Sequence, residues 1–129
     1  MAQVIEIATP ADFQAAFEQV SQEQPFVILY ITGGEDAEGK SWCPDCIVHK
    51  KAIQENVINQ AEGKILRCWV PTREEWKGNN EHPYKANPAL KVRGVPSLLL
   101  MREGEVVARA ETDEDFNNLE LLQMIAKPE

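Results

Sequence analysis

Six consecutive apolar residues, Phe26-Val27-Ile28-Leu29-Tyr30-Ile31, run without alternation into a glycine-bearing stretch holding Gly33, Gly34 and Gly39. Helical periodicity resumes at Cys43. A strand with one wet face alternates apolar and polar residues, so an unbroken apolar run reads as a strand covered on both faces. Six residues fall far short of the roughly 20 that a membrane helix needs. A strand buried on both sides requires a sheet with helices above and below it. That requirement organises everything else in the chain.

The flanking segments supply those layers. Residues 4–7 read as a short strand, after which Thr9 offers an N-cap oxygen and Pro10 a first helical residue that needs no N–H partner. Phe13, Ala16, Phe17 and Val20 form the apolar stripe of an amphipathic helix. The helix from Cys43 is expected to run to about Ala61, with Cys46, Ile53 and Val57 on one face and Gly63 as its stop. Residues 65–70 form the next strand. Residues 71–87, broken by Pro71, Gly78 and Pro83, read as a loop with a helical turn near Trp76. Asn87-Pro88 predicts a short helix ending at Gly94. Residues 97–101 and 106–110 pair as a hairpin about Glu103-Gly104, and Thr112 with Asp115 opens one last helix carrying Phe116, Leu119, Leu122, Ile125 and Ala126. The order β-α-β-α-β-(α)-β-β-α gives an α/β fold with a mixed sheet and helices on both faces.

The 129 residues suit a single domain over 1–129. A formal net charge of −8 leaves no basic footprint for a phosphate backbone, so nucleic acid is not an expected partner, and neither is a membrane. The start of the chain lacks the basic segment of a secretory signal. Three cysteines are too few for a disulfide scaffold and point to a reducing compartment, hence a cytoplasmic protein, expected to be a monomer.

Trp42-Cys43-Pro44-Asp45-Cys46 is the most informative stretch. It places the first sulfur at a helix N-terminus, where unpaired N–H groups and the positive dipole end favour the thiolate. The second sulfur lies one turn deeper, shielded but within reach. Cys43 is the expected nucleophile on a substrate disulfide, and Cys46 the resolving thiol that opens the mixed disulfide. Pro44 stiffens the first turn without losing a helical hydrogen bond. Asp45 favours the dipole but opposes the thiolate, so the two tuning effects compete. A zinc site completed by Cys68 and His49 is the rival reading, although the chain has no second Cys-x-x-Cys. Cys68 reads by default as a buried small hydrophobe, and His49 as a surface residue of the helix. Trp42, beside the nucleophile, is expected to be an exposed apolar platform for substrate. Trp69 and Trp76 read as core or loop anchors.

The order of elements, the Trp42–Cys46 stretch, and Arg93-Gly94-Val95-Pro96-Ser97 with Gly104 in the hairpin resemble a thioredoxin fold. The segment from Tyr30 to Cys46, with Gly39-Lys40-Ser41 before the tryptophan, is similar to the small thioredoxin-related proteins of the thioredoxin domain-containing protein 17 family. The resemblance implies a cytosolic disulfide reductase with no bound cofactor, recharged with NADPH electrons by a thioredoxin reductase. Its substrates would be peptide, small-molecule or protein disulfides. It also implies that Pro96 is cis beside Cys43 and that Val95 offers backbone hydrogen bonds to an extended substrate. Ordinary thioredoxin carries a buried carboxylate in its central strand where this chain has Tyr30, which makes Asp45 or water the proton acceptor for Cys46. The loop over residues 33–41 is expected either to narrow access to Cys43 or to be a solvated acidic loop. A reading of another class is a redox-responsive binding module, whose Cys43–Cys46 state controls docking without turnover.

Overall fold

In a computed structural model that describes residues 2–129, β1 (Gln3–Ile7), β2 (Phe26–Gly33), β3 (Lys64–Val70), β4 (Ser97–Arg102) and β5 (Glu105–Ala110) form one sheet in the order β1-β3-β2-β4-β5. β1, β3 and β2 are parallel, and β4 and β5 add on antiparallel. β2 is therefore the central strand, and its two-residue period splits the apolar run between two cores. Val27, Leu29 and Ile31 join Phe13, Val20, Leu66 and Tyr84 on the face covered by α1 (Phe13–Glu23). Ile28 and Tyr30 join Ile53, Val57, Phe116 and Leu122 on the other face. That second face is covered by α2 (Pro44–Ile53), α5 (Asp113–Phe116) and α6 (Leu119–Ala126). The absence of alternation thus has its cause in burial on both sides.

Local hydrogen bonding revises several expected boundaries. The Thr9 hydroxyl donates to the Asp12 carboxylate at 3.4 Å instead of capping, and the chain enters α1 through a 3₁₀ turn at Pro10–Asp12. The helix expected over 43–61 leaves α geometry after Ile53, where Gln54–Ile58 form a π turn closed by the Asn59 N–H on the Gln54 carbonyl at 2.9 Å. Between β3 and β4 lie α3 (Arg73–Trp76), matching the turn expected near Trp76, and α4 (Pro83–Ala86), which was not expected. His82 caps α4 through Nδ1, which accepts from the Tyr84 N–H at 3.2 Å. The short helix expected after Asn87-Pro88 is only a turn: the Leu90 and Lys91 N–H groups bond the Asn87 carbonyl, and Lys91 then takes φ 49°. The single last helix is two, because the Asn118 side chain accepts from the Leu121 N–H at 3.1 Å and starts α6 afresh.

Both ends of the described chain lie at one end of the sheet. The Gln3 N–H bonds the Gly63 carbonyl, and Pro128 shares a groove with Phe26, Gly63 and Lys64. Cys43 stands beyond the opposite end, where β2 finishes at Gly33. No helix among the described residues is long and apolar enough to cross a membrane.

Candidate redox site

Gly33 and the residues folded onto it set the position of Cys43. A Cβ on Gly33 would stand 2.9 Å from each of the Cys43 Cβ, the Ser41 Oγ and the Trp42 Cε2, so only glycine lets this loop lie on the strand end. The buried Ser41 hydroxyl donates to the Gly33 carbonyl at 3.0 Å and accepts from the Cys43 N–H at 3.1 Å. Trp42 donates from Nε1 to the Val70 carbonyl at 2.8 Å. The outer loop is knit as well: the Asp36 carboxylate accepts from the Glu38 and Lys40 N–H groups, and Glu35 pairs with Lys50 of α2 at 2.8 Å.

Cys43 is the N-cap of α2, with its own sulfur as the capping atom. Pro44 has no N–H to offer, and the Cys46 N–H donates to the Cys43 Sγ at 3.2 Å. The Cys43 thiol is drawn down to about 7, first by the hydrogen bond from the Cys46 side chain and then by the Cys46 and Asp45 backbone N–H groups. Burial and the Asp45 carboxylate act the other way. The donors win, which settles the competition between helix start and Asp45. Cys46 moves upward, chiefly because it supplies the proton shared with Cys43 and because it is buried. The Gly33 N–H, 3.3 Å from its sulfur, and the Thr32 hydroxyl oppose that rise. Such a pair loses its first proton as a unit, from the outer sulfur. Both residues are buried, Cys43 at 5% exposure and Cys46 at 2%, so the asymmetry between them is electrostatic more than steric.

The expected site residues converge. The Val95–Pro96 bond is cis, Pro96 is buried, and the Cys43 Sγ lies 3.5 Å from the Val95 carbonyl. Pro44 and Asp45 are exposed at the helix start. Trp42 is half-buried against the core beneath the loop, so it is a rim of the site and not the free platform expected. Ile47 and Val48 of α2 are exposed at 45% and 68%.

Two candidates for a metal set do not join the cysteine pair. His49 is buried at 6%, not a surface residue: its Nε2 lies 2.6 Å from Asp113, and its ring stacks on Phe116 with centroids 4.7 Å apart. Cys68 is fully buried in the opposite core, beside Tyr84, where burial pushes its thiol up to about 12. No group of three or more His, Cys, Asp or Glu among the described residues could hold a metal ion. Trp76 is a core anchor stacked edge-on with His82, and Trp69 is half-buried and bonded to Glu6. Gly33, Ser41 and Thr32 are site residues that sequence reasoning passed over. Only the glycine carried a signal, as a residue without a side chain at a strand end next to a Cys-x-x-Cys.

Residues 7–128 match the family described as thioredoxin domain-containing protein 17-like, thioredoxin domain. The thioredoxin-like protein Clot of Oryza sativa subsp. japonica is 30% identical over 118 residues, covering 83% of this chain and 84% of its own. Thioredoxin domain-containing protein 17 of Homo sapiens is 38% identical over 89 residues, 68% of each chain. Among solved structures, oxidized thioredoxin O2 of Arabidopsis thaliana aligns with a TM-score of 0.61 at 17% identity, over 96% of this chain and 95% of that one. The last similarity carries the fold alone, a thioredoxin fold in the α/β class.

Proposed function

The chain belongs to the thioredoxin domain-containing protein 17-like family, and from that membership and its paired thiols we propose that it is a disulfide reductase working by dithiol–disulfide exchange. The observation that carries this reading is the capping geometry. The Cys43 sulfur accepts the Cys46 N–H at 3.2 Å and is drawn down to about 7, while Cys46 keeps its proton next to it. A sulfur ionised near neutral pH is an effective attacking thiol without being a poor nucleophile.

Cys43 attacks one sulfur of the substrate disulfide and expels the first thiol. Cys46 then attacks the Cys43 sulfur of the mixed disulfide and expels the second. The protein is left with a Cys43–Cys46 disulfide, and the substrate has gained two electrons. Pro44 and Asp45 tune the nucleophile, and Trp42, Val95 and Pro96 border the substrate path. The Val95 carbonyl, beside the Cys43 sulfur, is placed to accept from the backbone of an extended substrate. With Cys43 only 5% exposed and the 34–41 loop pinned to α2 through Glu35 and Lys50, the opening favours small or flexible disulfides. Regeneration falls to an NADPH-fed thioredoxin reductase, in the cytoplasm, with the protein acting as a monomer on disulfide-bearing peptides, small molecules or proteins.

A coupled assay with NADPH, thioredoxin reductase and cystine tests the reading. The expected result is catalytic NADPH consumption that Cys43→Ser abolishes. Stoichiometric oxidation with no turnover would replace the enzyme by a redox-responsive docking module. In a companion experiment Cys46→Ser should accumulate a mixed disulfide at Cys43, seen as an adduct by mass spectrometry.

A further inference from the structure

Cys43 stands outside the helix that it caps. Its backbone is extended, at φ −100° and ψ 108°, and only its carbonyl joins α2, accepting from the Ile47 N–H at 3.2 Å. Its own N–H is taken by the Ser41 hydroxyl at 3.1 Å, which donates in turn to the Gly33 carbonyl at 3.0 Å. The N–H of the same Gly33 lies 3.3 Å from the Cys46 Sγ, and the Cys46 N–H returns to the Cys43 Sγ at 3.2 Å. Four hydrogen bonds thus close a circuit through both cysteines, with Gly33 tied on its two sides. Ser41 is 7% exposed, so water does not compete for its place in the circuit. Its single proton is committed to Gly33, so it donates to neither sulfur and acts on the pair through backbone alone.

The circuit holds differently before and after the first half of an exchange. A Cys43 thiolate accepts the Cys46 N–H in a charge-assisted bond, which by itself fixes the sulfur on the helix start. In the mixed disulfide that sulfur is neutral and a weak acceptor, so the bond fades. Cys43 is then kept turned towards Cys46 by its carbonyl in the helix and its N–H on Ser41. We propose, resting on the disulfide-reductase reading, that Ser41 is a positioning residue of the resolving step: while Cys43 carries the substrate, Ser41 ties it to the same glycine that holds the Cys46 sulfur. Cys46 attacks the Cys43 sulfur, the bond from Cys43 to the substrate sulfur breaks, and the Cys43–Cys46 bond forms. The departing sulfur takes the bonding pair, and the Cys46 proton is released with it. The substrate disulfide is the only oxidant. A reacting pair loses rate steeply when its in-line geometry loosens, which is what removing the Ser41 hydroxyl does.

Dithiobis-nitrobenzoate at one equivalent per protein separates the two half-reactions, because each releases one coloured thionitrobenzoate. The first release reports attack by Cys43 and the second closure by Cys46. Ser41→Ala removes the hydroxyl and leaves the Cys43 N–H and the Gly33 carbonyl without it. It should slow the second release about fivefold, the loss of one neutral hydrogen bond, and the first by less than about twofold. Ser41→Thr keeps the hydroxyl and should bring the second release back to within about twofold of the parent. A second release at the parent rate in Ser41→Ala overturns the proposal, and so does a Ser41→Thr variant as slow as Ser41→Ala. A first release that falls in step with the second would mark Ser41 as merely structural and overturn it equally. So would thionitrobenzoate found by mass spectrometry on Cys68, which is fully buried in the folded chain. A parent protein that gives no Cys43-dependent first release would instead sink the reductase reading itself.

Discussion

Replacing Cys46 by alanine should make Cys43 a weaker acid, and by a calculable amount. In the parent the Cys43 thiol is drawn down to about 7, and the side chain of Cys46 is the largest cause. Alanine deletes that donor and keeps the helix, leaving the Cys46 backbone N–H at 3.2 Å and the Asp45 N–H in place. One hydrogen bond to a charged group contributes about 1.5 kcal/mol, and 1.36 kcal/mol corresponds to one pKa unit, so Cys43 should titrate near 8. At pH 7 its ionised fraction would drop from about one half to about one tenth, a roughly fivefold slower alkylation. The assay is the pH dependence of the iodoacetamide rate, read at Cys43 by peptide mass spectrometry; Cys68, fully buried, stays out of the titration. A midpoint that remains at about 7 in Cys46→Ala would refute the reasoning, because backbone donors alone would then hold the thiolate.

Three further outcomes are expected. Gly33→Ala places a Cβ 2.9 Å from Cys43, Ser41 and Trp42 and should destabilise by about 1–3 kcal/mol, as overpacking does, measured by urea unfolding. Trp42→Phe removes the indole N–H and leaves the buried Val70 carbonyl unpaired on that side, costing about 1 kcal/mol in the same measurement. Because the folded protein ionises Cys43 at about 7 and the unfolded chain only near 8.5, Cys43 holds more proton in the unfolded state between those values. The Cys43 contribution to the stability of the reduced protein should therefore grow as pH rises from about 7 to about 8.5 and be lost as pH falls back through 7. The urea midpoint of the parent should rise relative to that of Cys43→Ser across this window.

The sheet and its two covered faces were legible from the sequence because β2 has to satisfy two cores at once, and no other local pattern of this length does so. Cys43 and Cys46 were legible because their spacing is one helical turn and the strand before them fixes which end of the helix they occupy. The expectations that failed share a cause, which is competition among short polar side chains for backbone partners. Asn118 restarts the last helix, Asn87 holds only a turn, and Thr9 turns to Asp12 in place of its own backbone. Each is a choice between near-equal hydrogen bonds that tertiary packing decides. His49 was misplaced for a different reason. Its apolar neighbours Ile47 and Val48 are the exposed ones, so the local pattern did not announce that α5 would close over the imidazole with Phe116 and Asp113.

Gln3 and Pro128 sit together at the pole of the molecule farthest from the sulfurs. A tag, a tether or a whole companion domain joined at either extremity would hang from the rear of the protein and leave the reactive mouth open. Immobilising the chain through its ends would orient every molecule with that mouth towards solution, whereas coupling through lysine would not, since Lys40 and Lys50 lie on the loop and helix that frame it.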